Sequence, residues 1–379
     1  MRVQDVPPLP PDPKLEDHPE RKTWAAPRGR HRLTLVVEPR FPGGTATATA
    51  AEIRALAPRV DLDIVGLETK MFHAREINPA LQAALDDHGL AIRWSPPVVH
   101  ADTIVLHNPA CLKFETSLPL RMSCDTAIAV THENFLRPGG SEGFDVAHCL
   151  SLCEAALVCR SRWLAPVSVV NRRSVAGWLQ GGDAGWLLAP FDWNNICDME
   201  RRAPSPAPRD RRGRHSRPGF EKFPPPETMA RHFPPHAECN VILGGDAILM
   251  DLDSIPPHWD VRRFGETDVA GFLEEIDFLV YFTHPLWRES FGRCIAEGIA
   301  AGKVVITDPA TAESFGPAVV ASRGDDVDAI IAAFVAEPAR YGDFVARAQD
   351  WLDRLAPDRV AAHLLSGVER LRDARDAAL

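Results

Sequence analysis

The chain has 379 residues, 45% of them apolar and 25% charged, which is ordinary for a globular protein of about two domains. Its net charge is −10, from 42 basic and 52 acidic side chains. This excess of acid disfavours a dedicated nucleic-acid binder, because such proteins neutralise phosphates. No apolar run approaches the roughly 18 to 20 residues of a membrane helix, and the N-terminus lacks the apolar core of a secretory signal. We therefore expect a cytoplasmic protein.

The pattern of apolar runs predicts a proline-rich arm followed by an α/β half. Residues 1–32 carry seven prolines and no periodicity, which indicates an extended arm. After the arm, short β-branched runs alternate with helical patterns, as in βαβ units with a parallel sheet. The predicted strands are 33–37, 62–65, 103–106, 126–130, 155–158 and 185–188, and the predicted helices are 46–56 and 79–88.

A basic, proline-rich stretch interrupts this alternation at residues 201–218, and we interpret it as a linker or long loop. The alternation then resumes, which predicts a second parallel sheet. Ligands of such sheets bind at the carboxyl ends of the strands, so the cleft between the halves is the expected site. The later strands are predicted at 240–243, 261–264, 278–282, 304–307 and 318–320, and the helices at 268–275, 291–301, 325–336, 339–355 and 357–374.

The loop after the third of these later strands carries the most informative chemistry. Ser290, Phe291 and Gly292 precede a helix, whose first backbone N–H groups can bind an anion. Glu289 precedes the same helix and Glu297 lies two turns into it, and carboxylates accept hydrogen bonds from sugar hydroxyls. These features favour a nucleotide-sugar site. The alternative is that both glutamates are ordinary solvated residues near a helix N-terminus.

The run Glu-Ser-Phe-Gly-Arg-Cys-Ile-Ala-Glu, from Glu289 to Glu297, resembles the Glu-x7-Glu signature of retaining GT-B glycosyltransferases, especially the family-4 group. Both glutamates, their spacing and the Phe-Gly pair are intact. The sequence departs from the family at Gly298, where Ala is usual, and at Lys303-Val304, where Pro is usual at the second position. Neither departure removes a functional side chain.

This resemblance implies a GT-B fold, an α/β architecture in which two Rossmann-like parallel-sheet domains face a central cleft. It implies an acceptor domain over 33–196, a donor domain over 197–358, and a C-terminal helix over 359–379 that packs back on the first domain. The implied reaction moves a sugar, with retention and without a metal, from a nucleotide-diphosphate sugar to an acceptor hydroxyl. The expected donor is a UDP- or GDP-sugar, and the acceptor a glycan, a lipid-linked glycan or a protein glycan.

The resemblance also assigns roles in the donor loop. Glu297 would bind the nucleotide ribose, and Glu289 would act in catalysis by holding hydroxyls of the donor sugar. Ser290 and the backbone N–H groups of Phe291 and Gly292 would contact the diphosphate, where helix N-termini favour negative charge.

Two further elements resemble the family's donor-binding parts. Arg214 and Lys222 resemble a Gly-Arg…Lys pair that clamps the diphosphate, with Arg217 as a substitute cation and a solvated basic loop as the alternative. Gly43 and Gly44 follow a strand and precede a helix, as in the family's first glycine-rich loop.

Histidines end two strands of the first half, and the family often places one there, near the sugar and the acceptor. We expect catalytic roles for His132 and His107, although a lone histidine is often structural. The Asp-x-Asp at residues 251–253 is the metal motif of the other glycosyltransferase fold, GT-A, and we assign no metal site to it.

Other functions stay open at this level. One is a different GT-B enzyme, such as a phosphorylase or a nucleotide-sugar epimerase. Another is a degenerate glycosyltransferase-like subunit that serves as a partner in an assembly. An added hypothesis places the chain at the inner face of the membrane through the Arg-rich run 201–217, as in polysaccharide biosynthesis on lipid-linked acceptors.

Overall fold

A computed structural model describes residues 30–182, 185–251 and 254–376. The arm up to residue 29 and the second and third residues of the Asp-x-Asp motif lie outside the described residues. The described chain forms two parallel sheets, one in each half. Among its helices, none combines the length and apolar character that crossing a membrane requires.

The first half is an eight-stranded, fully parallel sheet with helices between its strands. Its elements are β1 (Arg32–Val37), α1 (Gly44–Leu56), β2 (Asp61–Gly66), α2 (Pro79–Asp87), β3 (Ile92–Trp94), β4 (Val98–His100), β5 (Thr103–His107), β6 (Arg121–Thr131), α3 (Val146–Ala156), β7 (Leu157–Pro166), α4 (Val169–Leu179) and β8 (Leu187–Leu188). The strand order is β3-β2-β1-β5-β6-β7-β8, with β4 on β6. The strand predicted at 155–158 is corrected, since its first two residues end α3.

The second half is a six-stranded parallel sheet with the order β11-β10-β9-β12-β13-β14. Its elements are β9 (Arg211–His215), α5 (Pro226–His232), β10 (Cys239–Leu243), α6 (Asp246–Asp251), β11 (Asp260–Arg262), α7 (Val269–Glu274), β12 (Phe278–Tyr281), α8 (Arg293–Ala300), β13 (Val304–Thr307), α9 (Pro309–Ala312), β14 (Val320–Ala321), α10 (Val327–Ala336), α11 (Pro338–Leu352) and α12 (Pro357–Asp376). The strand predicted at 318–320 shifts towards the C-terminus, because a 3₁₀ turn occupies Gly316–Ala318.

The prediction of a loop over 201–218 is wrong for β9, which lies at the centre of the second sheet between β10 and β12. In β9, arginines held in ion pairs occupy positions where a central strand usually has apolar side chains. The Arg212 guanidinium, 0% exposed, contacts Asp210 at 2.6 Å and Asp328 at 2.7 Å. At Gly213 a Cβ would stand 2.9 Å from the Phe272 ring, so the close packing of α7 requires glycine.

The arginines of the 201–217 run are used within the fold. Six of the seven form ion pairs with carboxylates, and the seventh, Arg214, is fully buried. This pairing lends no support to the hypothesis of membrane docking through this run. The pairs are Arg201–Asp353, Arg202–Glu274, Arg209–Glu238, Arg211–Asp277, Arg212–Asp210 and Arg217–Glu221.

The last helix belongs to the hydrophobic core of the first half. Val360, Leu364 and Val368 of α12 are buried in one cluster with Leu33 of β1 and with Ile53 of α1. The helix α12, which follows the second sheet in sequence, therefore covers one face of the first sheet.

Candidate functional site

The donor loop, residues 282–292, connects β12 to α8 and is fixed to the first half. Asn134 Nδ2 donates to the Arg288 carbonyl at 3.0 Å, and the Ser168 hydroxyl donates to the Ser290 carbonyl. At the N-cap of α8, Gly292 adopts φ 91° and ψ 57°, a left-handed conformation that suits glycine. No side chain caps this end of α8, so its first N–H groups stay available for an anion.

Glu289 is mostly buried and held by two donors. Its Oε1 accepts hydrogen bonds from Lys222 Nζ and from the Tyr281 hydroxyl, both at 2.6 Å. The side chains of Glu289 and Lys222 are 11% and 10% exposed. Burial alone would raise the pKa of Glu289, but Lys222, Tyr281 and the nearby Arg217 outweigh it and lower that pKa below its ordinary value. The carboxylate is therefore ionised and fixed in position at neutral pH.

Glu297 has a different environment, just over one turn into α8. Arg293 Nε donates to its Oε1 at 2.9 Å, while Oε2 lies 3.6 Å from Nε2 of His215. Burial raises the pKa of Glu297 above its ordinary value, and Arg293 offsets this only in part. One carboxylate oxygen thus has a donor and the other has none among the described contacts.

Arg214 lies beneath the site instead of in the cleft. Its guanidinium is 0% exposed, donates to the carbonyls of Phe282 and Lys222, and stands 4.1 Å from the Phe223 ring centroid. Burial lowers the pKa of Arg214 to about 10. In this structure the guanidinium does not line the cleft; it fixes the backbone that carries Lys222.

Arg217 and the glycine-rich loop are neighbours. Gly43 has φ 109° and forms the N-cap of α1, and a Cβ there would lie 4.0 Å from Cδ of Arg217. Gly44, the first residue of α1, has open space where a Cβ would stand. The structure thus brings the substitute cation of the sequence analysis, not Arg214, to the predicted glycine-rich loop.

Residues of both halves line a cleft of about 770 Å³ that includes Gly43 and Arg217. Four large apolar side chains on its lining are exposed, Met71 by 41%, Phe220 by 69%, Phe264 by 61% and Leu286 by 64%. The cleft is lined by five cationic side chains, Arg75, Lys113, Arg137, Arg217 and Arg288, and by two carboxylates, Glu133 and Glu221. This excess of positive charge attracts anionic ligands.

The two predicted histidines are in contact, and a buried carboxylate supports them. His107 Nδ1 lies 3.0 Å from His132 Nε2, and His107 Nε2 lies 3.4 Å from Oε2 of Glu52. Trp193 Nε1 donates to the same oxygen at 3.1 Å. Burial, followed by the charge of His107, lowers the pKa of His132 well below its ordinary value. Glu52 was missed because it lies in an alanine-rich helix with no motif around it.

Comparison with known proteins identifies the fold. No protein-family profile matches the chain, and no curated protein matches it in sequence. HepE from Anabaena, solved with UDP and glucose, superposes with a TM-score of 0.61 at 13% identity, over 90% of this chain and 100% of its own. Trehalose-6-phosphate synthase, studied for glycosyl transfer with retention, gives 0.54 at 10% identity over 89% and 99%.

A further similar structure is an α-glucosyltransferase solved with UDP and a 13-mer DNA, with a TM-score of 0.52 at 10% identity over 86% of this chain and 96% of its own. These neighbours are GT-B glycosyltransferases. The predicted GT-B fold, α/β with two parallel sheets, is confirmed.

Proposed function

We propose that the protein is a retaining glycosyltransferase that moves a sugar from a nucleotide-diphosphate sugar to an acceptor hydroxyl. The observation that carries the proposal is the placement of Glu289 and Glu297 around the uncapped start of α8, beside a cation-lined cleft between two parallel sheets. The fold supports it, since HepE of the same fold has been solved with UDP and with UDP-glucose.

In this proposal Glu297 binds the ribose of the nucleotide. Arg293 holds its Oε1, which leaves Oε2 to accept a hydrogen bond from a ribose hydroxyl. Burial raises the pKa of Glu297, and hydrogen bonds from ribose hydroxyls would favour its charged form.

Glu289 holds hydroxyls of the donor sugar, and the diphosphate departs towards positive charge. Arg217 and the backbone N–H groups of Phe291 and Gly292 stabilise the leaving group, and Lys222 supports Glu289 from behind. Removing one such preorganised donor typically costs about 3 to 4 kcal/mol of transition-state stabilisation. Retention is proposed from the Glu-x7-Glu resemblance and from the similar fold of trehalose-6-phosphate synthase.

The acceptor is proposed to bind from the first half. His132 is neutral at physiological pH and contacts His107, so it can exchange hydrogen bonds with an acceptor hydroxyl without carrying charge. The exposed Phe220, Phe264 and Leu286 favour an acceptor with an apolar part, such as a lipid-linked glycan.

The alternative of a degenerate subunit would gain support from a second half without an ordered first strand or without a cation for the diphosphate. The basic segment forms β9, a central strand in which Arg211 and Arg212 pair with Asp277 and Asp210. Arg214 is buried and Lys222 binds Glu289, so Arg217 on the cleft lining is the cation left for the diphosphate. We therefore favour the enzyme.

The test is slow donor hydrolysis, in which water replaces the unidentified acceptor. The full chain is incubated with UDP- and GDP-sugars, and release of the nucleotide diphosphate is followed while NMR reports the anomer of the first free sugar. We expect release from one donor with its anomeric configuration kept, and loss of that release in Glu289→Gln. A matched control, Glu238→Gln, alters an exposed ion pair outside the cleft. Release with inverted configuration, or equal release by Glu289→Gln, would contradict the proposal.

A further inference from the structure

A cluster of three ligand-type side chains lies beside the donor loop and is only partly used by the proposed reaction. His215 ends β9, and Cys294 and Glu297 lie on α8. One imidazole nitrogen, the thiol sulfur and one carboxylate oxygen all lie within 4.8 Å of one another. Tetrahedral zinc with bonds of about 2.0 to 2.3 Å places its ligand atoms roughly 3.3 to 3.7 Å apart. The 3.6 Å between His215 Nε2 and Glu297 Oε2 already fits that spacing.

The state of His215 suits a metal ligand. The residue is 5% exposed, and its Nε2 has no hydrogen-bond partner. The ring also forms a hydrogen bond with the Cys294 backbone. Metal-binding histidines are commonly oriented by such a second hydrogen bond.

The charges around the cluster of His215, Cys294 and Glu297 allow it to bind one cation. Nε2 of His215 has no hydrogen-bond partner and lies 3.6 Å from a carboxylate oxygen of Glu297, so a cation between them would contact both atoms. Arg293 holds the other oxygen of Glu297 at 2.9 Å. The buried Arg214 guanidinium opposes a cation here, but a thiolate on Cys294 and the Glu297 carboxylate together balance a divalent ion.

We propose that His215, Cys294 and Glu297 bind a thiophilic divalent cation of the Zn²⁺ type. Three protein ligands leave the fourth tetrahedral position to water. Cys294 is partly exposed, which gives an ion access to the cluster. Binding forms the metal–sulfur bond and releases the thiol proton to solvent. Since Glu297 is also the proposed ribose ligand, metal and nucleotide exclude each other; that exclusion rests on the proposed function, whereas the metal binding does not.

The test is a titration of the full chain with Co²⁺, an optical substitute for Zn²⁺, without any nucleotide. We expect one cobalt ion per chain with a thiolate-to-cobalt charge-transfer band, and displacement of that ion by Zn²⁺. Cys294→Ser should abolish the band, and His215→Ala should weaken binding at least tenfold, with circular dichroism confirming that both variants fold. Cys239→Ser is the matched control, a partly buried cysteine of the same half outside the cluster. A band that persists unchanged in both cluster variants would overturn the proposal.

A second measurement separates this inference from the proposed function. Nucleotide affinity is measured with and without Zn²⁺ in the wild type and in Cys294→Ser. We expect Zn²⁺ to weaken nucleotide binding in the wild type only. Metal binding by a chain that binds no nucleotide would leave the metal site standing and refute the glycosyltransferase. A nucleotide affinity that is the same with and without bound metal would refute a site shared by the metal and the nucleotide.

Discussion

Glu289 and Glu297 lie eight residues apart on one loop-helix unit, yet their surroundings differ in kind. Glu289 accepts two hydrogen bonds at 2.6 Å and has a lowered pKa. Glu297 has Arg293 on one oxygen, nothing donating to the other among its described contacts, and a raised pKa. The difference suggests a division of work: Glu289 is preorganised around charge, as a catalytic group should be, whereas Glu297 is incomplete until a ligand arrives.

Removing the charge of the preorganised carboxylate should have the largest effect. In Glu289→Gln we expect turnover to fall by about 100-fold or more, the scale of losing one preorganised electrostatic contact. Stability should fall as well, since Lys222 loses its buried partner. Donor hydrolysis and urea denaturation measure the two effects. Unchanged turnover in a folded variant would contradict a catalytic role for Glu289.

Glu297→Ala should act on binding and leave the fold intact. Loss of the ribose contact is expected to weaken nucleotide binding about tenfold, or about 1.4 kcal/mol. Stability should stay level or rise, because burial makes the ionised carboxylate of Glu297 unfavourable in the empty protein. Calorimetry with nucleotide and a thermal melt without it report these quantities. A destabilised variant with normal affinity would reverse the roles of the two glutamates.

Arg217→Ala tests the cation of the cleft that lies near Glu289. Arg217 lines the cleft and helps to lower the pKa of Glu289. Because its side chain is half exposed, we expect about a fivefold rise in the KM for the donor, near 1 kcal/mol. The effect should shrink at high salt. Arg347→Ala, on the exposed face of α11, is the control and should leave KM unchanged.

Acidification should give the smallest effect, with opposite signs at the two glutamates. The lowered pKa of Glu289 means that its contribution is complete above the ordinary value of 4.5 and is lost as pH falls through its folded-state pKa. The raised pKa of Glu297 means that its penalty is complete at neutral pH and disappears on acidification. Urea denaturation at pH 7, 4 and 3 should therefore show the stability advantage of wild type over Glu289→Gln shrinking, and that of Glu297→Gln over wild type also shrinking. Constant differences would contradict these assignments.

The parts that the sequence predicts well are those with local signals. The strands β1, β5 and β12 can be recognised from their own apolar residues. The Glu-x7-Glu run is likewise defined by residues that lie close together in sequence. β9 was missed because the burial of its arginines depends in large part on partners distant in sequence, such as Asp277 and Asp328. No window around residue 211 contains those carboxylates.

The same limit applies within the site. The contact between His107 and His132 arises because β5 and β6 are adjacent strands, which the strand-end pattern could suggest. Glu52 and Tyr281 could not be found, because each sits in an element that the sequence marks only as core. Arg214 was expected to clamp the diphosphate from its resemblance to the family's Gly-Arg…Lys pair, whereas β9 places its side chain in the interior.

The most direct test of the account is thermal denaturation with UDP, GDP, ADP and dTDP, on the wild type and on Glu297→Ala. A diphosphate at about 100 times its dissociation constant should stabilise the wild type by about 2.7 kcal/mol. We predict that one of the four does so and that Glu297→Ala loses the stabilisation. Stabilisation by none of them, or an equal shift in both proteins, would contradict a nucleotide-diphosphate site at this cleft.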